Sequence, residues 1–385
     1  MPEQPQQAQE LRELTVEKKL AVLDDYAGIA RKHFDDFPGV DVVYFDRTLD
    51  AAKEEGLRGL VERLRGFEII SSMRERTAFP PKLLSSLPNL KLLLTTGMRN
   101  NAISLPAATE HGIIVAGTKG ERLPDSHYES EERGYEPPPP SSGPSSVIQH
   151  SWALLLSICS KVVEFHNLLQ VQQDRQQDGE EEEAPWQHGT IFSLAGKTLG
   201  LMGLGKLGTQ FGRIAIQSFG MNIIAWSENL TQEKADEQAV KFGLEKGSFE
   251  VVKGKKELCQ RADVVSLQLV LSPRTAKVVG EEELGWMKSS AILLNTSRGG
   301  LVEEEALVEC LKRKGIAGFA SDVFWEEPLP KDSLWRRVAE WSRSQVVLSP
   351  HVAYVNEGTM NRWYEEQREN LELWMKGEEV RDRLN

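Results

Sequence analysis

Three short segments of the chain each close an apolar run and each deliver one reactive side chain. Leu294-Asn295-Thr296-Ser297-Arg298-Gly299-Gly300 supplies a guanidinium, and Ser321-Asp322-Val323-Phe324-Trp325-Glu326-Glu327-Pro328 supplies a carboxylate at Glu327. Leu348-Ser349-Pro350-His351 supplies an imidazole. A fixed cation, a carboxylate and an imidazole are the parts needed to reduce a 2-oxo acid. Arg298 can grip a carboxylate with a planar fork of donors and polarise the neighbouring carbonyl. His351 can give a proton to the alkoxide that develops, or take one from an alcohol in reverse. Glu327 can orient that imidazole and favour its charged form. Singly, each has a plain structural reading: a surface arginine, one more acid in an acidic loop, a core histidine. On three successive strand ends, which face ligand in open α/β sheets, the chemical reading is favoured.

The elements that must position these groups are announced by residues 197–229. The apolar run Leu199–Met202 leads into Gly203-Leu204-Gly205-Lys206-Leu207-Gly208. A helical pattern follows at Phe211, Ile214, Ala215 and Phe219, then Gly220 and a second apolar run, Ile223–Trp226. Strand, glycine turn, helix, strand is one βαβ unit carrying a dinucleotide fingerprint. Gly203 permits the tight turn, Gly205 lets backbone approach a pyrophosphate, and Gly208 lets helix and strand pack closely. The diphosphate sits at the helix N-terminus, where free N–H groups and the dipole favour negative charge.

The chain is 385 residues long, 40% hydrophobic, with a formal net charge of -12. That length favours two or three domains and a substantial core. The acidic balance argues against nucleic acid or an anionic membrane as partner, though not against an anionic substrate in a locally positive site. Cys159, Cys259 and Cys310 are scattered and odd in number; they give neither a disulfide framework nor metal-ligand spacing, and no metal site is expected. The polar start shows no signal-peptide pattern and no run reaches membrane-spanning length, so a cytoplasmic location is the expectation.

Residues 1–18 are Gln/Glu-rich and read as a tail. Over 19–118, short apolar runs (Leu20–Leu23, Val42–Phe45, Ile69-Ile70, Leu90–Leu94, Ile113–Val115) alternate with helical patterns, as buried parallel strands do. Segment 119–146 is charged, Pro-rich and Ser-rich and reads as an insertion loop. A helical period returns over Val147–Leu169. Beyond the βαβ unit come strand candidates at Asp263–Leu269, Ala291–Asn295, Gly318–Phe324 and Val346–Ser349, with a helix Glu303–Lys314 capped by Gly315. The expectation is α/β throughout: two doubly wound parallel-sheet domains, one over 19–118 plus 352–385 closed by a final helix at Met360–Trp374, the other over 147–351. In such proteins the cleft between domains is the expected ligand site.

The three strand-end segments and the glycine turn resemble the D-isomer-specific 2-hydroxyacid dehydrogenase family from Lys19 onward. The resemblance implies a flavodoxin-like substrate domain and a Rossmann-like NAD domain. It also implies transfer of a hydride between nicotinamide and a small 2-oxo or 2-hydroxy acid, and a homodimer. By motif, Arg298 corresponds to the substrate-binding arginine, His351 to the acid/base, Glu327 to its carboxylate partner and Asp322 to a residue contacting the nicotinamide amide. Thr296 falls on the cofactor side as well. Met73-Arg74-Glu75-Arg76-Thr77 and Thr95-Thr96-Gly97-Met98-Arg99-Asn100 resemble the two loops that grip the substrate carboxylate, with Arg74, Gly97 and Met98 as contacts. Glutamate at 327 argues against a formate dehydrogenase. The sequence departs from the family at Ser227, where NAD-specific members carry aspartate; Glu228 follows it and no arginine is near, so NAD is expected, with NADP possible. His150, opening the hinge helix after Gln149, reads as structural, with a cofactor-side role as the alternative. The rival reading is an NAD(H)-sensing binding protein of the co-repressor type, with the acidic and Pro-rich stretches as partner surface.

Overall fold

The computed structural model describes residues 17–120, 145–175 and 189–385. The tail expected over 1–18 and the insertion expected over 119–146 therefore lie outside the described residues except at their inner ends, where Lys18 already opens the first strand. The chain divides into two compact units, Met1–Ser141 with Val355–Asn385, and Ser142–Tyr354.

The first unit holds β1 (Lys18–Leu23), β2 (Val40–Phe45), β3 (Ile69–Ser72), β4 (Leu92–Thr95) and β5 (Ile114–Ala116) in the order β2-β1-β3-β4-β5, all parallel. That is the flavodoxin-like order. β3 and β4 are buried at every position, so neither alternates: β4 opens on the apolar run Leu92–Leu94, and β3 on Ile69-Ile70 followed by two buried serines. The helix Glu357–Met375 belongs to this unit, starting three residues earlier than Met360. The Asn356 side chain fixes that start by accepting from the Thr359 N–H at 3.0 Å. Its Gln367 accepts from Ser71 Oγ of β3 at 2.5 Å, tying helix to sheet inside the core.

The second unit holds β6 (Thr198–Met202), β7 (Asn222–Trp226), β8 (Glu250–Val251), β9 (Val264–Leu267), β10 (Ile292–Asn295), β11 (Gly318–Ser321) and β12 (Gln345–Leu348). The order is β12-β11-β10-β9-β6-β7-β8, again all parallel. Chain direction across the sheet reverses between β6 and β9, the switch point at which doubly wound sheets open a crevice. Apolar layers cover both faces, one containing Leu258, Leu293, Leu307 and Trp335, the other Trp152, Leu155, Phe211 and Leu294.

Three local details differ from the sequence expectation. β8 is only two residues at the sheet edge, too short to leave a periodic signal. The single helical period over Val147–Leu169 is two helices, Ser146–Cys159 and Val162–Arg175, bent by 60° where Lys161 takes a left-handed φ of 54°. The first helix is core, whereas the second leaves Val162 and Val163 exposed, so the two halves answer to different surroundings. The helix Glu304–Lys312 does not use Gly315 for its left-handed residue; Lys314 takes that conformation at φ 57°. Gly315 is needed for space instead, since a Cβ there would lie 2.8 Å from Cys310 Sγ. Among the described residues no single helix is long and apolar enough to cross a membrane.

Candidate active site

The turn after β6 is built around three glycines with three different jobs. Gly203 has φ 105°, and a Cβ on it would meet the Gln268 carbonyl oxygen at 2.5 Å, so both handedness and closeness demand glycine. A Cβ on Gly208 would collide with the Gly203 carbonyl, which binds the helix start tightly to the turn. Gly205 is the opposite case: nothing lies within 4 Å of its Cβ position. It is the N-cap of the helix Lys206–Phe219 and offers no side-chain cap to the first N–H groups. Lys206 and Leu207 of the first turn are exposed. Open ground over an uncapped helix N-terminus, at the switch point of the sheet, suits the diphosphate of a dinucleotide. Ser227 sits half-buried immediately after β7, with exposed Glu228 next to it.

Arg298 lies in the turn leaving β10, and that turn is held by Asn295. The Asn295 side chain donates to the Arg298 carbonyl at 2.9 Å and accepts from the Ser297 N–H at 3.1 Å. Ser297 Oγ donates to the Leu267 carbonyl at 2.8 Å, fastening the turn to the end of β9. Gly299 follows because nothing larger fits: a Cβ would strike the Phe324 backbone. This contact brings the Arg298 loop against the loop that carries Glu327.

Glu327 and His351 meet directly. His351 Nδ1 lies 2.5 Å from Glu327 Oε2, while Glu327 Oε1 accepts from the Phe324 N–H at 2.8 Å. The ring nitrogen Nε2 is thereby left as the one facing away from the carboxylate. Burial pushes the Glu327 carboxyl upward, but the hydrogen bond and charge of His351, the Phe324 N–H and the Arg298 guanidinium outweigh it. The net result is a carboxyl held below the usual range. All three residues found from the sequence are thus electrostatically joined in one place.

The turn bearing His351 is itself unusual, with φ 55° at a non-glycine residue, a conformation that persists only when its surroundings impose it. Asp322 does the imposing. It is fully buried just beyond β11, and its Oδ1 accepts from Ser349 Oγ at 2.6 Å and the Val352 N–H at 3.0 Å. Its Oδ2 accepts from the Ala353 N–H at 2.9 Å. His150 Nε2 reaches Ser349 Oγ at 2.8 Å and Asp322 Oδ1 at 3.4 Å, so the structural reading of this histidine has a concrete content. Thr296 Oγ1 lies 2.8 Å from Ser151 Oγ on the same helix. Sequence reasoning did not single out Asn295, Ser349 or Ser151. The first had a usable signal, an asparagine at a strand end, where its side chain can mimic a turn.

In the first unit, Arg74 leaves β3 with φ 50° and Gly97 leaves β4 with φ 87°. The Arg74 N–H donates to Thr96 Oγ1 at 2.9 Å, and Asn100 Nδ2 donates to the Arg74 carbonyl at 2.7 Å. The Gly97 N–H donates to Thr118 Oγ1 at 2.8 Å. Two of the backbone donors in these loops are therefore already used, the Arg74 N–H to lock one loop to the other and the Gly97 N–H on the segment after β5. The Arg74 guanidinium lies 5.7 Å from the Trp363 ring, and a Cβ on Gly97 would run into it. Met98 is exposed.

Comparison with known proteins places the chain in a class. Residues 152–353 match the model described as D-isomer specific 2-hydroxyacid dehydrogenase, NAD binding domain. A glyoxylate reductase of Thermococcus litoralis is 31% identical over 300 residues, covering 77% of each chain. A D-3-phosphoglycerate dehydrogenase of Methanocaldococcus jannaschii is 31% identical over 276 residues, 71% of this chain but only 44% of the relative, so the chain spans less than half of that protein's length. The crystal structure of a phosphoglycerate oxidoreductase from Vibrio cholerae superposes with a TM-score of 0.72 at 27% identity, covering 94% of this chain and 99% of that one. The chain belongs to the D-isomer specific 2-hydroxyacid dehydrogenase family. It is an NAD-dependent oxidoreductase acting on the CH–OH group of 2-hydroxy acids, and the sensor reading is not favoured.

Proposed function

We propose that the chain interconverts a small 2-oxo acid, of glyoxylate or hydroxypyruvate size, and its D-2-hydroxy acid, with Arg298, Glu327 and His351 as the catalytic set. The observation that carries this reading is the 2.5 Å pairing of His351 Nδ1 with Glu327, whose carboxyl also feels the charge of Arg298 on the neighbouring loop. Bound NAD(H) supplies or accepts the hydride at the acid's C2. The His351 Nε2 delivers the hydroxyl proton as the alkoxide forms, or removes it in the oxidative direction. Glu327, ionised across the neutral range, keeps the imidazole oriented and offsets the positive charge it carries. Arg298 grips the substrate carboxylate and polarises the carbonyl. Arg74, Gly97 and Met98 take part in substrate binding, a role that rests on the motif resemblance.

On the cofactor side, Gly203, Gly205, Lys206, Leu207 and Gly208 would hold the diphosphate through backbone donors. Ser227 and Glu228 would meet the ribose, where an acid accepts from the hydroxyls and repels a 2′-phosphate. Thr296 and Asp322 would border the nicotinamide, Asp322 chiefly through the loop it fastens. A cytoplasmic homodimer completes the reading, the homodimer supported by family habit; light scattering in solution checks it. The experiment for the activity mixes purified protein with NADH or NADPH and a panel of 2-oxo acids and follows nicotinamide absorbance. Turnover with NADH on a short 2-oxo acid is expected. NADH binding without turnover across the panel would restore the sensor reading.

A further inference from the structure

Arg298 and Glu327 lie on separate loops, after β10 and β11, and have to keep one distance if both are to act on one substrate. The close approach of Gly299 to the Phe324 backbone sets a lower limit to that distance but supplies no attraction that would hold it. Besides the charge attraction between Arg298 and Glu327, a directional bond between the two loops comes from one side chain. Trp325 lies two residues before Glu327, and its indole Nε1 donates to the Val302 carbonyl at 2.6 Å. Val302 closes the short 3₁₀ turn Gly299–Leu301 that begins directly after Arg298. The indole is held in that position by stacking on Trp335, with ring centroids 5.3 Å apart and planes at 18°. Trp335 is buried, and its own Nε1 donates to Glu304 Oε1 at 2.8 Å, on the helix that follows the Arg298 loop. The far side of the same turn is tied elsewhere, the Val279 N–H donating to the Leu301 carbonyl at 3.1 Å and the Glu303 N–H to the Val279 carbonyl at 2.9 Å. The turn after Arg298 is thus fastened from two directions, and Trp325 ties it to the Glu327 loop by a hydrogen bond.

We propose that Trp325 is a positioning residue that locks the Arg298 loop to the Glu327 loop and thereby sets the enzyme's affinity for its acid substrate. The proposal deepens the catalytic reading above and rests on it. Trp325 touches neither partner of the Glu327–His351 pair through its indole N–H, so its loss acts first on where the guanidinium stands and only then on proton transfer. Substrate binding is the step that feels this, because a forked cation needs both of its N–H groups aligned with a carboxylate.

The test uses Trp325→Phe, which keeps an aromatic ring against Trp335 and removes the N–H donor. Trp341→Phe serves as the control. Trp341 packs edge-on against Trp335 at 5.4 Å, and its Nε1 donates to the Leu334 carbonyl, with no bond to either catalytic loop. Trp325→Phe is expected to raise KM for the 2-oxo acid about five- to tenfold with a smaller change in kcat, the loss of one well-made hydrogen bond. NADH affinity stays within twofold, and Trp341→Phe leaves KM alone while lowering Tm. Hydrogen exchange, read by mass spectrometry, supplies a measure independent of turnover. The Leu301 and Val302 amides exchange several-fold faster in Trp325→Phe and unchanged in Trp341→Phe. Faster exchange with an unchanged KM would overturn the link to substrate affinity, and unchanged exchange would overturn the lock itself. Equal KM shifts in the two variants would show a general packing effect and overturn the proposal as well. A wild-type protein that turns over no 2-oxo acid would instead sink the catalytic reading, with the exchange result still deciding whether the lock exists.

Discussion

The turn that carries His351 and the turn that carries Arg74 share a backbone conformation, φ 55° and φ 50°, yet are fastened by different chemistry. In the second unit a fully buried carboxylate, Asp322, accepts from two backbone N–H groups and a serine hydroxyl to hold the His351 turn. In the first unit the hydroxyl of Thr96 and the amide of Asn100 hold the Arg74 turn, and Thr118 holds Gly97. Bonds to an ionised acceptor in a buried site are the stronger kind. The difference matches what each turn is asked to carry. On the function proposed above, an acid/base at His351 has to stand at a fixed place through proton transfer, whereas a binding loop at Arg74 needs only to present its donors. A charged anchor is also more damaging to lose, because its removal leaves several buried groups without partners at once.

The largest effect on this comparison comes from Asp322→Asn. The amide nitrogen would face donors where an anionic oxygen stood, and we expect a loss of about 3 kcal/mol in stability. kcat should fall at least tenfold beyond any loss of folded protein, read by denaturant unfolding beside steady-state kinetics. Thr96→Val in the first unit removes one neutral acceptor and should cost about 1 kcal/mol, with KM moving more than kcat. If the two variants cost the same, the contrast between charged and neutral anchoring is wrong.

The smallest effect sharpens the comparison through pH. Because the Glu327 carboxyl is lowered in the folded protein, its contribution to stability is complete above the unfolded carboxylate range and is lost as pH falls through the folded value. Tm should therefore drop on acidification from neutral into that range by more in the wild type than in Glu327→Gln. Parallel Tm curves for the two proteins would count against the pairing.

Much of this architecture is legible from the sequence because parallel strands buried on both faces announce themselves as apolar runs, as at β4 and β10. Glycines 203 and 208 were equally legible, since handedness and close packing leave no other residue. What the sequence hid lies in the third dimension. Asp322 carries the signature of a strand-end acid, but which loop its oxygens fasten depends on β11 and β12 being neighbours with Ser321 opposite Leu348. The bend at Lys161 and the move of the left-handed residue from Gly315 to Lys314 are set by what each helix packs against, which no local propensity records. Trp325 stands in the segment that supplies Glu327, but its partner Val302 is twenty-three residues away and offers only a carbonyl.

The central claim is that His351, paired with Glu327, performs the proton transfer of a 2-hydroxyacid dehydrogenase. Its most direct test measures NADH affinity and turnover side by side for His351→Ala. The account predicts an NADH dissociation constant within about threefold of wild type and a kcat reduced by roughly three orders of magnitude, the scale of a lost general acid. Turnover that survives in this variant would contradict the assignment outright.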